Sequence, residues 1–328
     1  MPPACFNSIH VKMKVTDFYN GDHPVFSFEI LPPLKGNSIY KIYDIVDSLR
    51  EFDPKFINIT SHHSEYVYKP LPNGTHKRVS ILKRPGTVAI AAALQNHYGI
   101  ATVPHIICRG FSKDETEYAL LDLNFLGIHN LFLVRGDDKT QGELHGAPED
   151  YHEHASGLQH QVNDFNLGKG IDDTRIQGIH IPFSYGMACY PEKHEEAPNF
   201  DSDIHYMKKK QDEGAEYFMT QMFFNNDNYY SFLERCRKAG ITVPVIPALK
   251  PISKLRQLNV LPKVFRTELP EALASELRKA KTDAEASRIG VEWCVEQSRD
   301  LLAHGAPGIH YYTMSLSESV AGVVKKVF

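Results

Sequence analysis

The stretch "KDETEYALLDLNFLGIHNLFLVRGD", Lys113 to Asp137, decides the fold. Lys113 to Gly127 reads as an amphipathic helix ended by glycine. Asn130 to Asp137 reads as an apolar strand closing on arginine, glycine and aspartate. The same unit recurs along the chain. Helical stretches "SIYKIYDIVDSLREF", "SDIHYMKKKQDEGA" and "NYYSFLERCRKAG" alternate with β-rich runs. The runs are "VFSFEI" (25–30), "FINIT" (56–60), "TVPHIIC" (102–108), "NLFLVRGD" (130–137), "YGMACY" (185–190), "YFMTQMFF" (217–224), "VPVIPAL" (243–249) and "GIHYYTM" (308–314). Eight such units are the pattern of an α/β fold of the (β/α)8 TIM barrel type, for which about 250 residues is usual. A doubly wound open sheet is the rival. A polar segment from Gly142 to Arg175 and a helical region from Pro270 to His304 account for the extra length.

Composition bounds the function. The 328 residues are 42% apolar and 23% charged, the balance of a soluble globular protein. With 36 basic and 40 acidic residues the net charge is −4, which argues against a dedicated nucleic-acid surface. No apolar run is long enough to span a membrane, and "MPPACFNSIHVK" lacks the apolar core of a signal peptide. Residues 1–12 read as a loose tail or an over-long start, and 13–328 as one catalytic domain. Five scattered cysteines, with no CxxC pair, read as reduced thiols of a cytoplasmic protein.

In a barrel, chemistry gathers where the strands end. Here those ends carry Glu29, Asn58 and Thr60, His105, Arg135 to Asp137, Tyr190, Gln221, and Tyr311 to Thr313. Alternation puts Phe26, Phe28 and Ile30 on one face of the first strand and Ser27 and Glu29 on the other. Burying Glu29 beside apolar side chains is costly unless it is paired or neutral. It is therefore a structural acid paired with Arg135 or His105, or a general acid that keeps its proton near neutral pH.

Other chemistries leave weaker marks. The 17 histidines include His62, His63, His152, His154 and His194, but no carboxylate–histidine spacing points to a metal. Lys250 is the one lysine placed for a Schiff base. Arg135 and Gly136 suit a ligand with an anionic edge. Lys208 to Lys210 read as a solvated helix face or, alternatively, as bringing one lysine to a phosphate at the rim. No GxGxxG follows a strand, so no Rossmann nucleotide site is expected.

Taken together, "FSFEILPP", "FINITSHHSEY", "PHIICRG", "LFLVRGDD", "ACYPEKHEEA", "MTQMFF", "PALKPIS" and "HYYTM" resemble, in order, the methylenetetrahydrofolate reductase family. The likeness spans nearly the whole chain after Met13. It implies a barrel holding FAD, a reduced nicotinamide (NADH or NADPH) that passes hydride to the flavin and leaves, and a folate that then receives it. The product would be 5-methyltetrahydrofolate, in one-carbon metabolism and methionine synthesis. By resemblance Glu29 is the general acid that protonates nitrogen 10 of 5,10-methylenetetrahydrofolate. Asp137 lies beside flavin and pterin, and Gln221, Asp137 and Tyr312 meet substrate. Thr60, His105, Arg135, Gly136, Asp137, Ala155, Tyr190, His194, Ala197, Asp203 and Lys210 match flavin-contacting positions.

Four positions depart from the family pattern. Tyr206 and Lys209 stand where an asparagine and an arginine are expected near the flavin. Leu255 replaces a stacking phenylalanine, and Leu316 a basic residue that would hold the folate's glutamate tail. No cluster awaits a 2′-phosphate, which leans to NADH. Inhibition through the regulatory domain of eukaryotic relatives is not expected for a chain read to Phe328, and the family implies a homodimer or homotetramer. The competing readings are a flavin- or folate-binding barrel without turnover, or another barrel enzyme, a metal hydrolase or lysine aldolase.

Overall fold

Val25–Ile30 forms strand β1, and its alternation sorts the molecule into an inside and a shell. Phe26, Phe28 and Ile30 pack outward with Ile42, Val46 and Leu49 of helix α1 (Tyr40–Leu49), while Val25 turns inward. The computed structural model describes residues 13–21, 23–136, 147–179, 181–314 and 316–328. The expected tail, 1–12, lies outside these residues, and so does Asp137.

Strands and helices then follow in turn. They are β2 (Phe56–Ile59), the hairpin β3 (Glu65–Pro70) and β4 (His76–Ile81), α2 (Thr87–Tyr98), β5 (Ala101–Ile107), α3 (Lys113–Phe125) and β6 (Asn130–Val134). Next come α4 (Ala155–Asn166), β7 (Ser184–Cys189), α5 (Phe200–Asp212), β8 (Tyr217–Thr220) and α6 (Asn226–Lys238). The chain continues through β9 (Val245–Ile246), β10 (Ala248–Leu249), α7 (Gln257–Phe265), α8 (Glu271–Lys279), α9 (Asp283–Ala303), β11 (Gly308–Tyr312) and α10 (Ser317–Val327).

The large sheet is ordered β10-β11-β1-β2-β5-β6-β7-β8-β9, and each of its pairings is parallel. β9 and β10 are two halves of the seventh strand, parted at Pro247, which has no N–H to give a ladder. One half pairs with β8 and the other with β11, so the sheet closes into the expected barrel. All eight expected strands are present.

The barrel interior is filled by Val25, Phe56, Val103, Phe132, Tyr217, Met219, Ile246 and Ala248, and is plugged at its amino end by Val15 and Phe18 of a 3-10 turn. Gly186 is required there, because a Cβ would lie 2.2 Å from the Tyr217 ring. Among the described residues no helix is long and apolar enough to cross a membrane.

Two elements differ from expectation. The segment Gly142 to Arg175, read as a polar excess, contains α4, whose Leu158, Val162 and Phe165 are buried in the shell. Its apolar stripe is narrow and surrounded by amides and histidines. The β3–β4 hairpin was unforeseen and, among the described residues, pairs only with itself.

Candidate active site

Parallel pairing sets Glu29 of β1 between Asn58 of β2 and Tyr312 of β11 at the carboxyl end of the barrel. The Glu29 carboxyl lies 3.5 Å from Nε2 of His105, and Asn58 Nδ2 lies 3.1 Å from the same nitrogen. Burial, with a smaller push from His62, pulls the His105 pKa down to about 3. The imidazole is neutral at pH 7, so its contact with Glu29 is not a charged pair. The tautomer sets the direction of these contacts: with the ring proton on Nδ1 the single Nε2 lone pair accepts from Asn58, and with it on Nε2 the ring donates toward the Glu29 carboxyl. Of the two structural partners considered for Glu29, His105 is in contact, while Arg135 donates to Glu196 at 2.7 Å.

Beneath Glu29, Ser27 Oγ lies 2.9 Å from Nδ1 of His310, both fully buried. Burial holds His310 neutral as well. Thr313 donates its hydroxyl to the Glu29 carbonyl at 2.7 Å, tying β11 to β1 where the acid sits. Tyr312 donates to the Thr220 carbonyl at 2.7 Å; burial, then Glu29, raise its pKa well above the usual phenol range. Tyr311 points the other way, to Ser298 of α9 at 2.8 Å, and is not part of the mouth. Sequence reading missed the Ser27–His310 pair and the Asn58–His105 contact. The inward alternation of β1 and β11 was the one available signal.

A second cluster forms on the rim. The His194 ring packs edge-on against Tyr190, with centroids 4.5 Å apart, and its backbone N–H donates to Asp203 at 2.8 Å. Asp203 is held in the first turn of α5, whose Asn199 cap accepts from Ser202 N–H at 2.8 Å. Burial lowers the His194 pKa, and its ring also feels Asp203, Arg135, Glu196 and Lys210. Burial lowers the Lys210 pKa too, opposed by Asp203. No hydrogen bond or ion pair engages the Lys210 ammonium among the described residues. Gly136 has φ +92°, with Ile107 and Arg109 side chains closing on the position a Cβ would take. A half-buried ammonium that Asp203 reaches only electrostatically, and a glycine at positive φ beside Arg135, suit an anionic ligand such as a diphosphate. The buried Asn58 Oδ1, also unpartnered, is a further polar atom held in reserve.

The remaining positions are more dispersed. Thr60 hydrogen-bonds the His62 ring at 3.1 Å, and Ala197 N–H donates to the His194 carbonyl at 3.1 Å. Gln221 is tied by its N–H to the Cys189 carbonyl at 2.8 Å, with Oε1 accepting from Met222 N–H at 2.9 Å. Ala155 opens α4 and packs half-buried against the shell. Tyr206 is 60% exposed, Lys209 is exposed, and Leu255 packs into the α7–α9 cluster.

Lys250 is buried, gives its ammonium to the Pro251 carbonyl at 3.3 Å, and lies in electrostatic reach of Cys294 on α9. That places it against the shell, where a carbonyl substrate has no access. Among the described residues no three His, Cys, Asp or Glu side chains converge as a metal site requires. A cavity of about 430 Å³ lies at the opposite end of the barrel. Its Arg237 is taken up by the Ile241 and Val243 carbonyls, and Tyr230 by Asp300, so these groups are not waiting for a ligand.

A closed parallel barrel with a buried acid at its carboxyl mouth and an anion-receptive rim beside it belongs to the class of (β/α)8 barrels built for chemistry at that end. Residues 14–327 match the sequence profile described as methylenetetrahydrofolate reductase, and the chain belongs to that family. It is 29% identical over 304 residues to a probable methylenetetrahydrofolate reductase (NADPH) of Caenorhabditis elegans, covering 92% of this chain but 42% of the relative. It is 26% identical to the 5,10-methylenetetrahydrofolate reductase of Salmonella typhimurium, covering 89% of this chain and 86% of that one. The chain thus spans less than half the length of the worm protein. Among solved structures, an uncharacterized Clostridium thermocellum protein that binds two copies of 5-methyl-5,6,7,8-tetrahydrofolic acid shares the fold. Its TM-score is 0.56 at 16% identity, over 95% of this chain and 96% of that one.

Proposed function

We propose that this chain reduces 5,10-methylenetetrahydrofolate to 5-methyltetrahydrofolate, with FAD at the barrel mouth and NADH or NADPH as donor. The observation that carries the reading is the Glu29 carboxyl at the barrel mouth, 3.5 Å from a buried and neutral His105. FAD, when bound, supplies a hydride carrier that serves the two substrates in turn. Lys210 and Arg135 would hold its diphosphate. Gly136 would let the backbone approach, and Tyr190 with His194 would wall the rim.

The chain's own chemistry centres on one proton. Glu29 would carry it at the mouth, beside a His105 ring that is itself neutral. On arrival of folate, Glu29 gives that proton to nitrogen 10. The five-membered ring then opens to an iminium at nitrogen 5, the acceptor for hydride. Thr313 holds the Glu29 backbone at the strand end. Gln221, half-buried at the end of β8, would orient whichever substrate occupies the mouth.

The test is formation of 5-methyltetrahydrofolate by the purified, FAD-supplemented chain with either nicotinamide. No product with either one would overturn the reading. A protein that keeps FAD and bleaches with nicotinamide, yet gives no product, would make it a flavin reductase with another acceptor.

A further inference from the structure

The β3–β4 hairpin is inserted directly after β2, so it rises from the carboxyl rim as an arm. Its residues are half-buried near the base and exposed toward the turn. The base is fastened to the loop that follows Glu29: Arg84 donates to the Pro32 carbonyl, and Lys35 N–H to the Lys83 carbonyl at 2.7 Å. Two strands by themselves are marginal in water. Among the described residues no strand pairs with the outer edge of β3, and such an edge is a template for another strand.

The turn fixes which backbone groups face that edge. Leu71 N–H donates to the Thr75 carbonyl at 2.7 Å, and the pairs Lys69↔Lys77, Val67↔Val79 and Glu65↔Ile81 follow at two-residue steps. In an antiparallel ladder hydrogen-bonded and non-hydrogen-bonded pairs alternate, so Glu65, Val67 and Lys69 turn their backbone groups toward β4. Tyr66, Tyr68 and Pro70 turn theirs to the outer edge, and Pro70 has no N–H to give. Tyr66 and Tyr68 are thus the positions at which a further strand would bond.

Around those positions β3 is complementary to itself. The run Glu65-Tyr66-Val67-Tyr68-Lys69 reads acid, aromatic, β-branched, aromatic, base. Laid antiparallel on a second copy about Val67, it sets Tyr66 opposite Tyr68 twice over, and each of those pairs exchanges two backbone hydrogen bonds. Tyr68, 66% exposed, is covered in the process. Glu65 of each copy then stands opposite Lys69 of the other. Within its own hairpin Lys69 faces Lys77, a like-charge pair that destabilises the arm. Glu65 meets Lys83 through one carboxylate oxygen, which leaves the other for Lys69 of the second copy. β4 lacks this symmetry. The equivalent pairing about Val79 sets Lys77 against Ile81 and Arg78 against Ser80, with no carboxylate for either base.

We infer that two copies of this chain join through β3, forming an antiparallel sheet β4-β3-β3-β4 across a two-fold axis. One edge of each arm joins and the other does not, so the contact closes as a pair instead of growing into a fibre. Strands this short bury less than a standard interface, so the pairing is reversible on dilution.

The test is sedimentation of the full chain over a wide range of concentration. The native chain forms an even-numbered assembly that dissociates on dilution. Tyr68→Pro removes an N–H that faces the second copy and none that faces β4, and it halves the assembled mass. Glu65→Lys alone and Lys69→Glu alone each set like charges opposite one another at both ends of the contact. Each weakens the pairing about tenfold or more. Mixed in equal amounts, these two variants pair with each other at near-native strength, because every base again faces an acid. Val67→Cys gives a disulfide between copies on mild oxidation, since Cα atoms across a non-hydrogen-bonded pair lie about 4.5 Å apart. A native chain that is monomeric at every concentration overturns the inference. So does an assembly that Tyr68→Pro and both charge variants leave intact, which would put the contact on another face. Charge variants that each dissociate yet fail to recover on mixing overturn it too, since their effect would then lie within one hairpin.

Discussion

Glu29→Gln exchanges the proposed proton donor for an amide of the same shape. The side chain is 14% exposed, and its neighbour His105 is neutral, so no charged pair with that ring is lost. The glutamine amide keeps the size of the side chain and a polar group beside the His105 ring, which keeps the change in stability within about 1 kcal/mol. The chemistry is another matter. Losing a positioned general acid costs roughly 10²- to 10⁴-fold, or about 3–5 kcal/mol on the barrier. That loss falls only on the half-reaction that needs a proton at nitrogen 10. Anaerobic stopped-flow separates the two, following the visible flavin band first with nicotinamide and then with 5,10-methylenetetrahydrofolate. Flavin reduction is expected within a few-fold of native, with reoxidation by folate nearly abolished. Equal loss of both would make Glu29 a structural acid, and reoxidation within about tenfold of native would show that the proton comes from elsewhere.

Three further outcomes follow from buried charges. Lys210→Met is expected to weaken FAD binding about tenfold or more, yet to raise the thermal midpoint of the flavin-free protein; unchanged FAD retention would remove Lys210 from the diphosphate site. His105 binds its proton near pH 3 when folded and near pH 6.5 when unfolded, so its contribution is complete above pH 6.5 and is lost as pH falls toward 3. His105→Gln should flatten acid unfolding across that window, and an identical pH profile would contradict its burial as a neutral ring. Lys250, with a folded pKa near 8 against about 10.4 unfolded, destabilises most below pH 8. Lys250→Met should therefore be more stable than native at pH 7, by up to about 3 kcal/mol, with the gap closing between pH 8 and 10.4. The buried thiols Cys108, Cys189, Cys236 and Cys294 lower stability as pH rises, so the difference between the two proteins is the quantity to follow.

The barrel was legible because each strand is an apolar run and each run precedes a helix or a turn. Phe26, Phe28 and Ile30 declare the shell face of β1, and Glu29 stands out by being on the other. The hairpin was not legible because "EYVYKP" and "HKRVSI" bury neither face, so no alternation marks them. Helix α4 hid behind its histidines and amides for a related reason. In the site, a strand-end acid can be read from one segment, but its environment cannot. His310 approaches Ser27 across 283 positions of sequence, and His105 reaches Asn58 across 47. The departures at Tyr206 and Lys209 fall on exposed positions, whereas Lys210, in the same helix, turns toward Asp203.

The most direct measurement of the proposed chemistry is the visible spectrum of the native, FAD-loaded protein under anaerobic conditions. NADH, or NADPH, is added first and 5,10-methylenetetrahydrofolate second. Bleaching by the nicotinamide and full return of colour on folate is the expected result, since one site then takes hydride from one substrate and gives it to the other. Colour that bleaches and stays bleached when folate is added would contradict folate reduction by this chain.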